Sequence, residues 1–368
     1  MSATPLNTRN VMLGAIAATS IVSGLYVTYM AVHAEPKPQF YAWGQQALSA
    51  LRRDLGLTPS GRFFSSKSPM IADLEKFYLF LVRIFQDLVS TPFGKGAFLF
   101  IFSMTAPLML YANVEALKPE AHLLMGGLAV LVIFSTGQLI CIGAALPIMY
   151  IPAYALVRAL RPRDTFPQRA FNESAIPLLS FLQLVCGVPA LLTLAVPPKH
   201  NYFFLVNTLF QFFPLLLIHL PGYKMFASRN QSVSSTAVGD LFRTGRISTT
   251  LLYWAGMFFM YPTLVHLARG SWLPLSDAVK LILWDSLGVI LSMIYIVCVD
   301  LVADPVPAGM TSRRNVHNQG ETLLVGTVKA VITSIIFGPG TAMNSYFAKR
   351  EDAVASVHPG YEIHIKEQ

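Results

Sequence analysis

Long apolar runs alternate with short polar connectors along this chain, and the runs are too long for the elements of a soluble core. Eight segments read as bilayer spans, at about 10–32, 97–117, 123–150, 174–196, 202–221, 247–268, 280–302 and 321–346. Roughly 18 consecutive apolar residues suffice to cross the hydrocarbon layer. The first run ends in Val32-His33-Ala34, which resembles a signal-peptidase site. Its apolar core exceeds the roughly 7–15 residues of a signal peptide, so it reads as a retained signal anchor. Segment 70–91 follows another pattern. At 100° per residue, Asp73, Lys76, Arg83 and Asp87 fall within about an 80° arc. Ile71, Leu74, Phe77, Phe80, Leu81, Ile84, Phe85 and Leu88 fill the rest of the wheel, with Glu75 the one misfit. A narrow charged stripe on an apolar helix suits an in-plane interfacial helix. A charged face lining a pore is the rival reading.

Composition narrows the class. The 368 residues are 54% apolar and 12% charged, and the mean hydropathy is +0.53. Soluble domains carry roughly 25% charged residues. Soluble enzymes, nucleic-acid binders and secreted disulfide scaffolds are thereby excluded. The expected architecture is all-α, a polytopic transmembrane bundle forming one integral membrane domain over 1–368. A basic cytosolic segment at 33–96 and a polar tail at 347–368 complete it.

The net charge of +8 sits in the connectors. Arg158, Arg161, Arg163 and Arg169 share one loop, and Lys224, Arg229, Arg243 and Arg246 another. Arg313 and Arg314 follow the seventh span. With eight spans these loops and 33–96 lie on one side, and the positive-inside rule makes it cytosolic. Both termini are then expected to be lumenal or extracellular, with Lys349 and Arg350 the one point against. The sequons at Asn172 and Asn230 fall on the cytosolic side and go unused. Cys141, Cys186 and Cys298 lie in apolar runs without metal-site spacing and read as packing residues. No internal repeat is visible. Pro107, Pro147, Pro177, Pro189, Pro214, Pro262 and Pro339 lie within or near the spans and predict kinks that open the bundle.

Ionisable groups at membrane depth are functional candidates because burying them is costly. Here they are Glu115, Asp285, Asp300, His219 and His266, with Gln138 central in the third span. In the eight-span topology Asn113, Glu115 and His266 lie near the lumenal boundary. Asp285 lies about five residues below it, or roughly 7 Å at 1.5 Å per residue. These four are expected to share one layer, with His219 and Asp300 in the cytosolic one. Glu115 also reads as an interfacial cap near Lys118, and Asp300 as a helix end meeting water. A buried carboxyl stays protonated near neutral pH and can donate a proton. Such an acid suits an epoxide or alkene of a lipid-soluble substrate. The resulting cation is stabilised by aromatic faces. Tyr253, Trp254, Phe258, Phe259, Tyr261, Trp284 and Tyr295 are available, although aromatics at helical spacing are more often packing residues.

The order of spans, Asn113-Val114-Glu115 ending an early span and Leu283-Trp284-Asp285-Ser286 in a late one resemble fungal membrane-integral terpene cyclases. So do Phe337-Gly338-Pro339-Gly340-Thr341, Tyr346 and the run Lys349-Arg350-Glu351-Asp352. The chain is most similar to the group that cyclises prenylated aryl epoxides in ascofuranone- and ascochlorin-type meroterpenoid pathways. The basic segment 33–96 is an addition relative to the shorter cyclases of this kind. The resemblance implies an (epoxy)farnesyl-aryl substrate, epoxidised by a separate oxygenase and cyclised through a carbocation without metal or other cofactor. It implies a multi-pass protein of the endoplasmic reticulum membrane. It places the acid role on Glu115 and Asp285 alone; the polar and aromatic residues at membrane depth, Tyr111, Asn113, Gln138, Tyr253, Trp254, Tyr261, His266 and Trp284, are the ones expected around the substrate. Two other classes stay open. A UbiA-like prenyltransferase needs paired Asp-rich motifs, and only Asp300-Leu301-Val302-Ala303-Asp304 has the DxxxD spacing. A transporter of a hydrophobic metabolite is supported by the stripe on 70–91 and the kinked helices.

Overall fold

The computed structural model describes residues 8–33, 37–58, 68–118, 121–160, 175–218, 236–270, 274–303 and 319–357. All regular structure among them is helical. We number the main helices α1 (Thr8–His33), α2 (Pro38–Gln45), α3 (Leu48–Asp54), α4 (Pro69–Leu88), α5 (Pro92–Leu117) and α6 (Gly127–Ile140). After these come α7 (Ile142–Leu160), α8 (Ile176–Ala195), α9 (Asn201–Phe212), α10 (Thr236–Ala268), α11 (Asp277–Ala303), α12 (Gln319–Phe337) and α13 (Pro339–Val357).

Among the described residues five stretches are long and apolar enough to cross a bilayer: α1, α5, α7, residues 237–268 of α10, and α11. Eight spans are therefore not confirmed among the described residues. Among the described residues a short apolar helix covers 202–215 of the expected span 202–221, and in 321–346 Gly338 interrupts the helix, with an apolar piece over 328–337 before it. The expected span 174–196 coincides with α8 but is not among the five.

The largest departure from the expected topology is at 123–150. Cys141 adopts φ 91°, a region that side chains with a Cβ rarely enter. There the chain reverses. Gly137 packs on Ile142, and the far end of α7 returns to the turn at 123–125 from which α6 set out. One expected span is thus a helical hairpin. Pro147 has no N–H for the Gly143 carbonyl, and a wider π-type turn over Leu146–Tyr150 takes up the break. Gly143 and Gly288 let α7 and α11 touch backbone to backbone; a methyl group on either would meet a main-chain carbonyl of the facing helix. A glycine at the reversal adopts φ near 91° without the Cβ penalty. Cys141→Gly is therefore expected to raise the melting temperature of the purified protein, by the equivalent of about 1 kcal/mol.

The hairpin inverts the direction of every span after it relative to the expected order. Arg9 Nη2 donates to the Arg158 carbonyl at 2.8 Å, so α1 begins beside the end of α7. Beyond the other end of α1, the Gln39 amide donates to Asp277 at 3.0 Å, at the start of α11. The ends of α5, α7, α11 and α13 meet through Glu115, Arg158, Asp300 and Arg350. Residues 118 and 121–122 thus lie at the same end as 158–160, and 37–58 at the opposite one. The expected placement of 33–96 beside the 158–172 loop is corrected accordingly. The terminal segments, 1–7 and 358–368, lie outside the described residues. Residues 8–9 and 350–351 share the end that leads into the connectors holding Arg161, Arg163, Arg169, Arg313 and Arg314.

α5 is the central post, buried along most of its length against α10, α11 and α13. Thr91 caps its first turn, accepting from the Gly94 amide at 3.0 Å. Gly338, at φ 95°, separates α12 from α13. Tyr253 and Trp254 of α10 donate to the Ile335 and Ile336 carbonyls at 2.9 and 2.8 Å, satisfying groups left open at the end of α12. Within the expected polar tail, residues 347–357 belong to α13, which buries Phe347, Arg350 and Glu351; 358–368 lie outside the described residues. In α4 the misfit of the wheel, Glu75, is buried in an ion pair with Arg52 of α3, while Asp73 stays exposed.

Candidate functional site

Two buried polar regions occupy opposite parts of the bundle. The first joins the ends of α5, α7, α11 and α13. Glu115 accepts from Lys118 at 2.7 Å and from Arg350 at 3.1 Å. Arg350 also reaches Glu351 at 2.8 Å and Asp300 at 3.2 Å, and Lys118 reaches Glu351 at 3.3 Å. Arg158 stands 3.6 Å from Asp300 on the other side. Tyr154 and Tyr346 donate to Asp300, Tyr346 at 2.8 Å. Tyr111 shares a 2.6 Å hydrogen bond with Tyr154, stacks on Phe347 at 4.0 Å and lies under the Arg350 guanidinium at 5.3 Å. Glu115, Asp300 and Glu351 thus face Lys118, Arg158 and Arg350, so the network is balanced in charge. Buried charges persist only when paired and hydrogen-bonded.

The second region lies at the α6–α7 reversal. Asp285 of α11 is 6% exposed, and its carboxyl group accepts from the backbone amide of Gly143. It closes the open N-terminus of α7 from a neighbouring helix. Among the described residues no basic side chain pairs with it, in contrast to Glu115 and Asp300. Trp284 beside it meets Tyr26 edge to face at 6.5 Å, and Ser23 bonds Tyr295 at 2.7 Å a few turns along.

The expected single layer of Glu115, Asn113, His266 and Asp285 does not form. Glu115 shares Arg350 with Asp300, and Asp285 lies 15 residues from Asp300 on α11, roughly 22 Å at 1.5 Å per residue. The reason is the hairpin at Cys141, which makes α5 and α11 parallel. Tyr111 belongs to the ion network. Asn113 is fully buried on another face of α5, and neither of its amide atoms has a partner among the described residues. Gln138 and Trp284 are half-buried near the reversal. Tyr253 is buried against α12, whereas Trp254 is half exposed. Tyr261 and His266 are exposed towards the far end of α10, away from Glu115. His219, Asn172 and Asn230 lie outside the described residues, as does the Cys186 side chain. Cys141 and Cys298 are free thiols, and no cluster of metal-ligating side chains occurs among the described residues.

Lys118 stood beside Glu115 in the sequence, but Tyr154, Arg158, Arg350 and Glu351 were not read there as partners of Glu115 and Asp300. The signals were local: Glu115–Lys118 at i,i+3, Tyr154–Arg158 at i,i+4, and cations at helix ends matched by equal numbers of carboxylates. Comparison of the chain with protein-family models, with curated proteins and with solved structures finds no match.

Proposed function

We propose that this protein is a membrane-bound terpene cyclase in which Asp285 is the general acid. The observation that supports this reading is the environment of Asp285, a buried membrane-depth carboxyl with no cation beside it among the described residues. The substrate is an epoxyfarnesyl chain on an aromatic head, supplied by an oxygenase. Asp285 gives its proton to the epoxide oxygen, the carbon–oxygen bond breaks, and an alkene or hydroxyl of the same molecule attacks the cation. A final proton loss, which the Asp285 carboxylate accepts, leaves a product of unchanged mass. The Gly143 amide receives the negative charge in the interval. Glu115, bonded to two cations, serves in this proposal as a positioning residue for the ends of the bundle. The endoplasmic reticulum membrane is the compartment the reading implies.

A microsome assay tests it. Membranes holding the chain are incubated with an epoxyfarnesyl aryl substrate, with and without EDTA, and products are read by mass spectrometry. A product of unchanged mass and altered retention, formed equally in EDTA, is the expected result. The interrupted helix at Cys141 favours a second reading, transport of a hydrophobic metabolite, because discontinuous helices build transporter sites. Saturable uptake into vesicles without conversion is the result that supports it.

A further inference from the structure

The layer formed by α2, α3 and α4 has no part in the proposed reaction, yet it holds an open groove. The groove measures about 320 Å³ and is lined by Phe40, Trp43, Leu51, Phe77, Phe80 and the Asp73–Lys76 pair, with Gly44 in its wall. That volume is at the lower end of ligand sites, roughly 300–1,000 Å³. Its floor is aromatic: Phe40 meets Trp43 at 5.7 Å and Phe80 at 5.7 Å, edge-on for the second pair. The Arg83 guanidinium covers one face of Trp43 at 5.3 Å, leaving Phe40, Phe77 and Phe80 to face a ligand. Asp73 is exposed and Lys76 half-buried. Among the described residues neither has an ion-pair or hydrogen-bond partner, although they stand one helical turn apart. Glu75 and Arg52, by contrast, neutralise each other behind the groove.

Position decides the class of occupant. α2 starts beyond the end of the spanning helix α1 and is tied to Asp277 at the start of the spanning helix α11. The groove therefore sits where the bundle leaves the hydrocarbon layer. Met70, Leu74 and Phe77 form an exposed apolar strip along α4 beside it, 68%, 55% and 44% exposed. One carboxylate and one ammonium, about 5–6 Å apart at their Cβ atoms, match a headgroup whose phosphate and quaternary ammonium are a few bonds apart. Lys76 takes the phosphate, while Asp73 and the phenyl rings take the ammonium. We infer that this groove is a binding site for a zwitterionic phospholipid, with its choline-type headgroup in the groove and its chains along Met70 and Leu74.

Gly44 supplies a test, because it lines the groove and a Cβ added there meets nothing within 4 Å. Full-length protein purified in mild detergent is given phosphatidylcholine, phosphatidylglycerol of the same chains, or glycerophosphocholine, and bound lipid is counted by native mass spectrometry. Wild type is expected to retain phosphatidylcholine at least tenfold better than the other two. Gly44→Leu is expected to lose that retention tenfold, and Asp73→Asn to lose the preference over phosphatidylglycerol, each with an unchanged melting temperature. Equal retention of phosphatidylglycerol, equal binding of glycerophosphocholine, or full retention by Gly44→Leu would each overturn the assignment. Because Asp73 is exposed, its variant keeps the test open even if Gly44→Leu folds poorly.

Discussion

Arg350→Met is expected to melt far below the wild-type protein in detergent, losing about 3–5 kcal/mol, the cost of removing one partner from a buried ion pair. The side chain is 1% exposed and reaches Glu115, Asp300 and Glu351. Without it three carboxylates face only Lys118 and Arg158 in a site closed to water. Arg350→Lys keeps the charge but loses the planar fork that serves three acceptors, so it is expected to recover part of the loss. Adding Asp300→Asn to Arg350→Met is expected to restore stability relative to Arg350→Met alone, a coupling that a double-mutant cycle reads directly. Arg243 is the control. It bonds Asp240 and Asp352 with all three side chains at least 38% exposed, and Arg243→Ala is expected to melt close to the wild-type protein. A wild-type melting temperature for Arg350→Met would show that the network does not hold α13 to the bundle.

Asp285→Asn is expected to lower cyclase turnover by about 10²–10⁴-fold while the protein stays folded, the usual contribution of a positioned acid. Asparagine keeps an acceptor oxygen for the Gly143 amide, and Asn and Asp are equally good at closing a helix N-terminus. What it lacks is the proton. Asp285→Ala removes both, so it is expected to lose turnover and also about 1 kcal/mol of stability. Thermal melting and turnover, measured on the same preparations, separate the two roles. A cap with no chemical role predicts normal turnover in Asp285→Asn.

The apolar runs made the helical membrane character legible, and the ends of α1, α5 and α11 fall within a few residues of the expected spans. The charged stripe of α4 was legible too, down to Glu75 as the residue that did not fit; its partner Arg52 lies 23 positions away. The hairpin was not legible. Residues 127–160 are apolar almost throughout, and the reversal depends on one residue at positive φ, Cys141, where sequence offers no glycine. That single inversion changed which ends of the spans meet, and it moved Glu115 from the company of Asp285 to that of Asp300. Arg350 was read as a charge beyond the last span because its neutralising partners come from two other helices. Asp285 was legible as a buried carboxyl from the apolar residues around it. That a backbone helix end would be its partner was not, since nothing local to Trp284-Asp285-Ser286 marks the approach of Gly143.

The most direct measurement compares turnover per folded molecule in three membranes, holding wild type, Asp285→Asn and Glu115→Gln, with one epoxyfarnesyl aryl substrate. The account predicts an isomeric product from wild type, none above background from Asp285→Asn, and near-normal turnover from the folded fraction of Glu115→Gln. Wild-type turnover by Asp285→Asn would contradict it.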